Sequence, residues 1–261
     1  MATASQKAAR SKLRSFWLGI PAVALLVIPF LTLALITPWH DFRLAYGDGQ
    51  AISVSLLMSA VALPTIALGG IPLALWLARS RSRWRSLIEI AVLVPLLTPP
   101  LALGILLISA YGPYSSIGEA LAKVGLGLNN NPGAFVLAQL YAGLPWFVLS
   151  ARTAFENVPR DTEEAGETLG ASAWQIFWRL TLPQASRGLA AALALAWVRI
   201  IGEFGIVLVF SYFPQGIPVK LFINLQNDGV EAVYTLLWAL LAATLPLPLW
   251  LSMRARKRDQ A

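Results

Sequence analysis

Arg199 and Glu203 stand four residues apart inside the apolar stretch WVRIIGEFGIVLVF. At that spacing they share a helix face and can form an ion pair. A charge at membrane depth costs at least ~2.5 kcal/mol on insertion scales, a cost that pairing and an inward orientation reduce. Gly202 and Gly205 on the same segment permit close helix packing. Two roles are open: an internal pair that fixes the helix against its neighbours, or a charged feature beside a solute pathway. Glu203 cancels the charge that an anion would seek, which favours the first.

The second constellation is the polar segment 158–183, VPRDTEEAGETLGASAWQIFWRLTLP. Asp161 can cap a helix, with Glu164 three residues on as its reciprocal partner. Glu163, Glu164 and Glu167 suit the early turns of that helix electrostatically. Gly170 permits the left-handed conformation that ends it, with Ala171 next. Ser172 and Gln175 form a second capping box, opening a helix through Phe177 and Trp178 that Pro183 limits. A helix, a glycine corner and a helix make a rigid, protruding unit. It reads either as a solvated amphipathic loop or as a docking lever for a partner.

Other chemistry is scarce. With no cysteine, disulfides, thiolate metal sites and cysteine nucleophiles are excluded. The single histidine, His40, falls in a loop and reads as surface. No metal-ligating group and no catalytic residue stands out. Glu89 and Glu203 are the acids within apolar segments, which is poor equipment for an intramembrane enzyme. A secondary carrier would place ionisable relays near the midplane, and one ion pair is a thin relay. No Gly-Lys dipeptide occurs, so the chain has no Walker A phosphate loop and binds no nucleotide cofactor of its own.

The elements that must position these residues are membrane helices. Of 261 residues 57% are hydrophobic and 13% charged, against ~25% charged in an average soluble domain. Six stretches approach the ~20 apolar residues that a span requires: 16–37, 51–78, 87–110, 134–151, 188–210 and 233–251. The first follows a basic stretch, as a signal peptide does, but its apolar run is too long and lacks a cleavage site; it reads as a retained helix. Sixteen Lys and Arg fall on one side: Lys7, Arg10, Lys12, Arg14, Arg79, Arg81, Arg83, Arg85, Arg152, Arg160, Arg179, Arg187, Arg254, Arg256, Lys257 and Arg258. Arg43, Lys123 and Lys220 fall on the other. This bias puts both termini in the cytoplasm and agrees with an even number of spans. It also assigns the net charge of +7 to topology in a lipid bilayer rather than to nucleic acid.

The resulting layout is a tail, first span and external loop over 1–50, a five-span core over 51–251 with a cytoplasmic loop at 152–187, and a basic tail at 252–261. Prolines interrupt the spans at Pro64, Pro72, Pro95, Pro99, Pro100, Pro246 and Pro248. Ordinary kinks explain any one of them; Pro95, Pro99 and Pro100 together favour a cavity-lining or mobile segment. In the external segment 111–133, a surface helix is expected near 117–124 and a turn at Asn129, Asn130, Asn131 and Pro132.

Glu164-Ala165-Gly166-x-x-x-Gly170, nine residues, then Leu180-Thr181-Leu182-Pro183 resembles the EAA loop of ABC-importer permeases of MetI-like fold. Gly166 stands where those loops carry a second Ala. The segment Arg199 to Gly205 is similar to the Arg-Ala-x-Gly-Glu-Phe-Gly of molybdate, tungstate and sulfate permeases. The stretches LIEIAVLVPLLTPPLALG and SYFPQGIPV look like the same group's Leu-Pro-x-x-x-Pro-Pro and Tyr-Tyr-Pro…Pro patterns. Iron, thiamine, polyamine and phosphonate permeases are alternatives built on related patterns. The resemblance implies an all-α permease with six transmembrane helices, paired as a homodimer with a pathway along its two-fold axis. It implies that Glu163, Glu164, Ala165, Gly166, Gly170, Ala171, Leu182 and Pro183 dock a separate ATPase dimer, whose ATP-driven closure turns the permease from inward-open to outward-open. A solute-binding protein outside would deliver an inorganic oxyanion, across the inner membrane of a prokaryote.

Overall fold

The computed structural model describes residues 2–258, with side chains over 19–251 and at 253. The basic side chains of both tails, from Lys7 to Arg14 and from Arg254 to Arg258, lie outside the described residues. Among the described residues the chain is helical, with no strand. In order the helices are α1 (Ala2–Ile36), α2 (Asp48–Arg79), α3 (Arg85–Leu97), α4 (Pro100–Tyr111), α5 (Ser116–Lys123), α6 (Pro132–Glu156), α7 (Arg160–Thr168), α8 (Ala173–Ile176), α9 (Leu182–Ile201), α10 (Gly205–Phe210), α11 (Ile217–Asp228), α12 (Tyr234–Thr244) and α13 (Pro246–Arg258).

Four stretches are long and apolar enough to cross a bilayer: Gly19–Ile36, Asp48–Arg79, Pro132–Glu156 and Glu231–Leu251. The third expected span is not one rod. It is the pair α3 and α4, bent by 113°. The cause is local. A residue before proline is pushed out of the helical region, and Thr98 and Pro99 each precede one. Both are extended, with ψ of 127° and 138°. Pro100 then starts α4, where its missing N–H costs nothing. Pro64 and Pro72, by contrast, sit inside an unbroken α2 and are ordinary interior prolines.

The fifth expected span, 188–210, is also interrupted. α9 ends at Ile201 and α10 starts at Gly205. α9 itself starts earlier than expected, at Leu182, and carries Gln184, Ser186 and Arg187 in its first turns.

α2, α6 and α9 pack into the core of the molecule around Ile66, Leu77, Phe147, Phe155, Ala196 and Ile200. A second cluster joins α4, α6 and α10 through Leu103, Leu107, Phe135, Ile206 and Phe210. The two clusters lie on either side of the breaks. α1 stands apart: none of Gly19–Ile36 is buried against the rest of the chain. It is moored at its end, where the Trp238 indole donates to Thr37 Oγ1 at 2.9 Å and Trp39 packs on Trp238 with ring centroids 5.4 Å apart. Segment 111–133 matches expectation in its helix and turn. Ser115 caps α5, accepting from Gly118 N at 2.9 Å, and Asn131 caps α6, accepting from Ala134 N at 2.8 Å.

Candidate functional site

The segment 158–183 folds as helix, glycine corner, helix. α7 starts two residues earlier than expected: its cap position is Pro159, with no side-chain cap. Asp161 therefore sits inside the first turn instead of capping it, where its charge still favours the helix N-terminus. The end of α7 is a Schellman motif. Gly170 has φ +81°, Gly170 N donates to Glu167 O, and Ala171 N donates to Gly166 O at 3.0 Å. The capping box of Ser172 and Gln175 is formed on both sides.

α8 is not limited by Pro183. It passes through a π-turn, Phe177–Thr181, directly into α9. A proline ring cannot fit against the carbonyl four residues back in a tight α-turn. The wider turn before Pro183 accommodates it, with Leu182 N donating to Phe177 O. The lever is thus continuous with a core helix.

Its residues divide into two faces. Gly166 is buried, and a methyl there would come within 3.0 Å of Leu180 Cδ1 and 3.2 Å of Ile176 Cγ1. The glycine that departs from the resembled motif lets α7 lie close on α8 and the π-turn. Glu163 also turns inward. Arg79 Nη2 donates to its Oε1 at 3.0 Å, Arg79 Nε lies 3.0 Å from Oε2, and Thr181 Oγ1 donates to Oε1 at 2.7 Å. Arg79 Nη2 also donates to Val158 O at 3.1 Å. Glu164, Ala165, Glu167 and Gly170 are exposed, as is Pro183, while Ala171 and Leu182 are half-buried. Around them lies an apolar patch that the residue pattern did not single out: Leu169 is 88% exposed, Trp174 70% and Trp178 50%. The rings of Trp174, Phe177 and Trp178 contact one another with centroids 5.4 to 6.4 Å apart. An apolar cluster this open on a protruding corner is suited to a protein partner.

Arg199 and Glu203 form the expected ion pair, although Glu203 lies past the end of α9. The pair is asymmetric: the Glu203 side chain is 1% exposed and that of Arg199 30%. Glu203 Oε1 also accepts from Ile206 N at 2.8 Å, so the carboxylate closes the opening turn of α10. The carbonyl of Ile200, freed where α9 ends, accepts from Gln139 Nε2 at 3.2 Å and from Glu203 N at 3.3 Å. Gln139 also donates to Ser59 Oγ at 2.7 Å. Backbone groups at the break between α9 and α10 are thus met by protein, as a buried, apolar surrounding requires.

Gly205 packs closely, as the glycine pattern implied: a Cβ on it would come within 2.7 Å of Pro100 Cβ. Gly202 does not. It ends α9, and a Cβ there would meet only Val198 O, at 3.3 Å. Pro95 lies within α3, while Pro99 and Pro100 make the bend, with both exposed. Three expected pathway residues, Pro99, Pro100 and Gly205, therefore converge at one crossing, next to the pair of Arg199 and Glu203. Among the described residues no cluster of His, Cys, Asp or Glu could hold a metal ion.

Residues 70–256 match the family described as the inner membrane component of binding-protein-dependent transport systems. The molybdenum transport system permease protein ModB of Mycobacterium tuberculosis is 32% identical over 239 residues, covering 88% of this chain and 90% of its own. The sulfate transport system permease protein CysT of Escherichia coli is 30% identical over 201 residues, covering 76% and 73%. In fold, the chain resembles one in the crystal structure of a bacterial alginate ABC transporter in complex with its alginate pentasaccharide-bound periplasmic protein. The TM-score is 0.75 at 16% identity, over 96% of each chain.

Proposed function

This chain belongs to the family of binding-protein-dependent transport system inner membrane components, and we propose that it forms the pathway of an ATP-driven importer for an inorganic oxyanion, molybdate or tungstate ahead of sulfate. The observation that carries the coupling half of this reading is the lever. α7, the Gly170 corner and α8 present Glu164, Glu167, Leu169, Trp174 and Trp178 on an open face, while α8 runs without interruption into a core helix. A partner that moves the corner moves α9 with it.

That partner is a cytoplasmic ATPase dimer, and the ATP is bound and used by it. This chain holds no nucleotide and catalyses no reaction. Two copies of the chain share a pathway, and a solute-binding protein loads it from outside. The pathway runs past the crossing of α4 and α10. The topology of the reading is six spans with both termini in the cytoplasm of a prokaryotic inner membrane. α3 with α4 supplies the third span and α9 with α10 the fifth. The positive bias supports it, as does the need for α9 to cross with its neighbours α2 and α6.

Support for the oxyanion comes from the relatives' substrates. The physical chemistry of the chain agrees. Glu203 is neutralised by Arg199, so the break between α9 and α10, among the described residues, offers no unpaired carboxylate that would attract a cation. The test is uptake into vesicles containing the chain, its ATPase and its binding protein, comparing molybdate, tungstate, sulfate, ferric iron and spermidine. ATP-dependent uptake of molybdate or tungstate is expected. Uptake of a cation with no oxyanion uptake overturns the substrate and leaves the importer standing.

A further inference from the structure

α7 carries four acidic side chains, and they are not equivalent. Asp161, Glu164 and Glu167 are exposed, and among the described residues none of their carboxylates has a hydrogen bond or ion pair. Glu163 alone is turned inward, with its side chain 18% exposed against an Arg79 that is 20% exposed. Its carboxylate touches two separate parts of the core. Arg79 is the last residue of α2, whose other turns pack along α6 and α9. Thr181 is 2% exposed and ends the π-turn that leads into α9. Through Arg79 the same group reaches the Val158 carbonyl, just before α7 starts.

We propose that Glu163 is a positioning residue for energy coupling. With Arg79 and Thr181 it forms the latch that makes α7 move as one body with α2 and α9, and it is not part of the surface that binds the ATPase. The proposal rests on the importer reading above. Its physical basis is the difference between a lever that is bound and one that is also rigid. Glu164, Leu169 and Trp174 can hold a partner, but force applied to α7 reaches the spans only through what ties α7 to them. Besides the chain itself, those ties are the small apolar contact of Gly166 on Ile176 and Leu180, a long hydrogen bond of 3.5 Å from Arg160 Nη2 to the Ala78 carbonyl, and the Glu163 latch. Glu163 Oε1 accepts from both Arg79 Nη2 and Thr181 Oγ1, while Oε2 is held by charge alone, 3.0 Å from an Arg79 Nε that makes no hydrogen bond among the described residues. Charge-assisted hydrogen bonds are directional, whereas the apolar contact can slide. Loosening the latch lets the ATPase close and reopen while the spans lag behind.

Residues that transmit coupling without touching either ligand change it by roughly 2- to 30-fold. The experiment uses the whole complex, purified through the ATPase and placed in proteoliposomes with the binding protein and labelled molybdate. Uptake per ATP hydrolysed is measured for parent, Glu163→Gln, Arg79→Gln, Thr181→Val, the exchange Arg79→Glu with Glu163→Arg, and Glu164→Gln. The expected result is that Glu163→Gln and Arg79→Gln hold the ATPase subunit as the parent does, yet take up roughly 2- to 30-fold less solute per ATP. The exchange recovers part of that loss, which a role in folding alone does not predict. Glu164→Gln shows the opposite pattern, with the ATPase partly lost. If Glu163→Gln fails to accumulate, Thr181→Val, which removes one hydroxyl and keeps the shape, carries the same measurement. Parent-like uptake per ATP in Glu163→Gln overturns the proposal, and so does loss of the ATPase to the extent seen in Glu164→Gln. A parent chain that retains no ATPase at all overturns the importer reading beneath it, and is recognised before any variant is made.

Discussion

Pro100 lies against the bare α-carbon of Gly205: a Cβ added there would stand 2.7 Å from Pro100 Cβ and 3.1 Å from the Leu101 nitrogen. Each residue opens the second half of an interrupted element, Pro100 at the head of α4 and Gly205 at the head of α10. The two interruptions therefore cross each other. Both neighbours of the missing Cβ are backbone or ring atoms, which cannot swing aside as a flexible side chain would.

Gly205→Ala should therefore be costly where Gly202→Ala is not. Overpacking a well-packed contact costs about 1–3 kcal/mol, and separating α4 from α10 would also disturb the cluster of Leu103, Leu107, Ile206 and Phe210. Thermal unfolding of the two variants in detergent is the check. Equal midpoints for Gly205→Ala and Gly202→Ala would mean that the crossing is not tight.

The pair of Arg199 and Glu203 should respond unequally to removal of its two members. Arg199→Met leaves an uncompensated carboxylate that is buried, a change worth about 3–5 kcal/mol. Glu203→Gln leaves an arginine that is 30% exposed and keeps an acceptor for Ile206 N, so about 1–2 kcal/mol is expected. The double variant should be more stable than Arg199→Met alone. Protein level and thermal stability of the three variants decide it, and simple additivity of the two single losses would mean that the groups are not coupled.

Much of this arrangement is readable along the chain, and what is not has a common cause. Gly170, the capping box of Ser172 and Gln175, and the asparagine turn before α6 each depend on residues within about five positions, so local chemistry suffices. The bend at Thr98 and Pro99 was visible as prolines but not as an angle, because the fold around α4 sets how far the chain turns. The lead of α8 into α9 is not legible along the chain, because Pro183 ends an α-turn but not the π-turn that precedes it here. By sequence alone Glu163 is indistinguishable from its neighbour Glu164 as a docking acid. Its partners Arg79 and Thr181 are 84 and 18 residues away, and no periodicity brings them together. Gln139 carries no sequence signal for the same reason, since Ser59 and Ile200 lie on two other helices.

Trp174 should be an anchor for the ATPase. It is 70% exposed and sits in contact with Phe177 and Trp178, so it brings a large apolar area at little cost in ordering. Aromatic anchors of this kind contribute ~2 kcal/mol or more when truncated. Trp174→Ala should insert and fold as the parent does while losing most of its ATPase on affinity purification. Full retention of the ATPase would move the docking surface elsewhere. Gly170→Leu should act on the same assay by another route. A leucine at φ +81° costs roughly 1–2 kcal/mol in backbone strain, so the corner would shift and carry the patch with it.

Gln139 is the most informative position for what a buried polar group is worth in this bundle. Its Nε2 serves both Ser59 Oγ and the Ile200 carbonyl, whereas its Oε1 is buried without a donor. Gln139→Leu would remove two hydrogen bonds, but it would also remove one unsatisfied acceptor. The Ile200 carbonyl would still accept from Glu203 N, and the Ser59 hydroxyl could turn to a carbonyl of its own helix. Interhelical side-chain hydrogen bonds in membrane bundles average ~0.6 kcal/mol and reach ~1.7. The net loss for Gln139→Leu is therefore expected to stay under ~1.5 kcal/mol, well below that for Arg199→Met. The uptake assay should show a different ranking if the break after Ile201 moves during transport. Gln139 is then the side chain that holds the end of α9 in register with α2 and α6, and its loss should slow uptake more than the small change in stability predicts. A stability loss as large as that of Arg199→Met would show instead that Gln139 is a principal support of the core, and would remove the reason to assign it a role at the break.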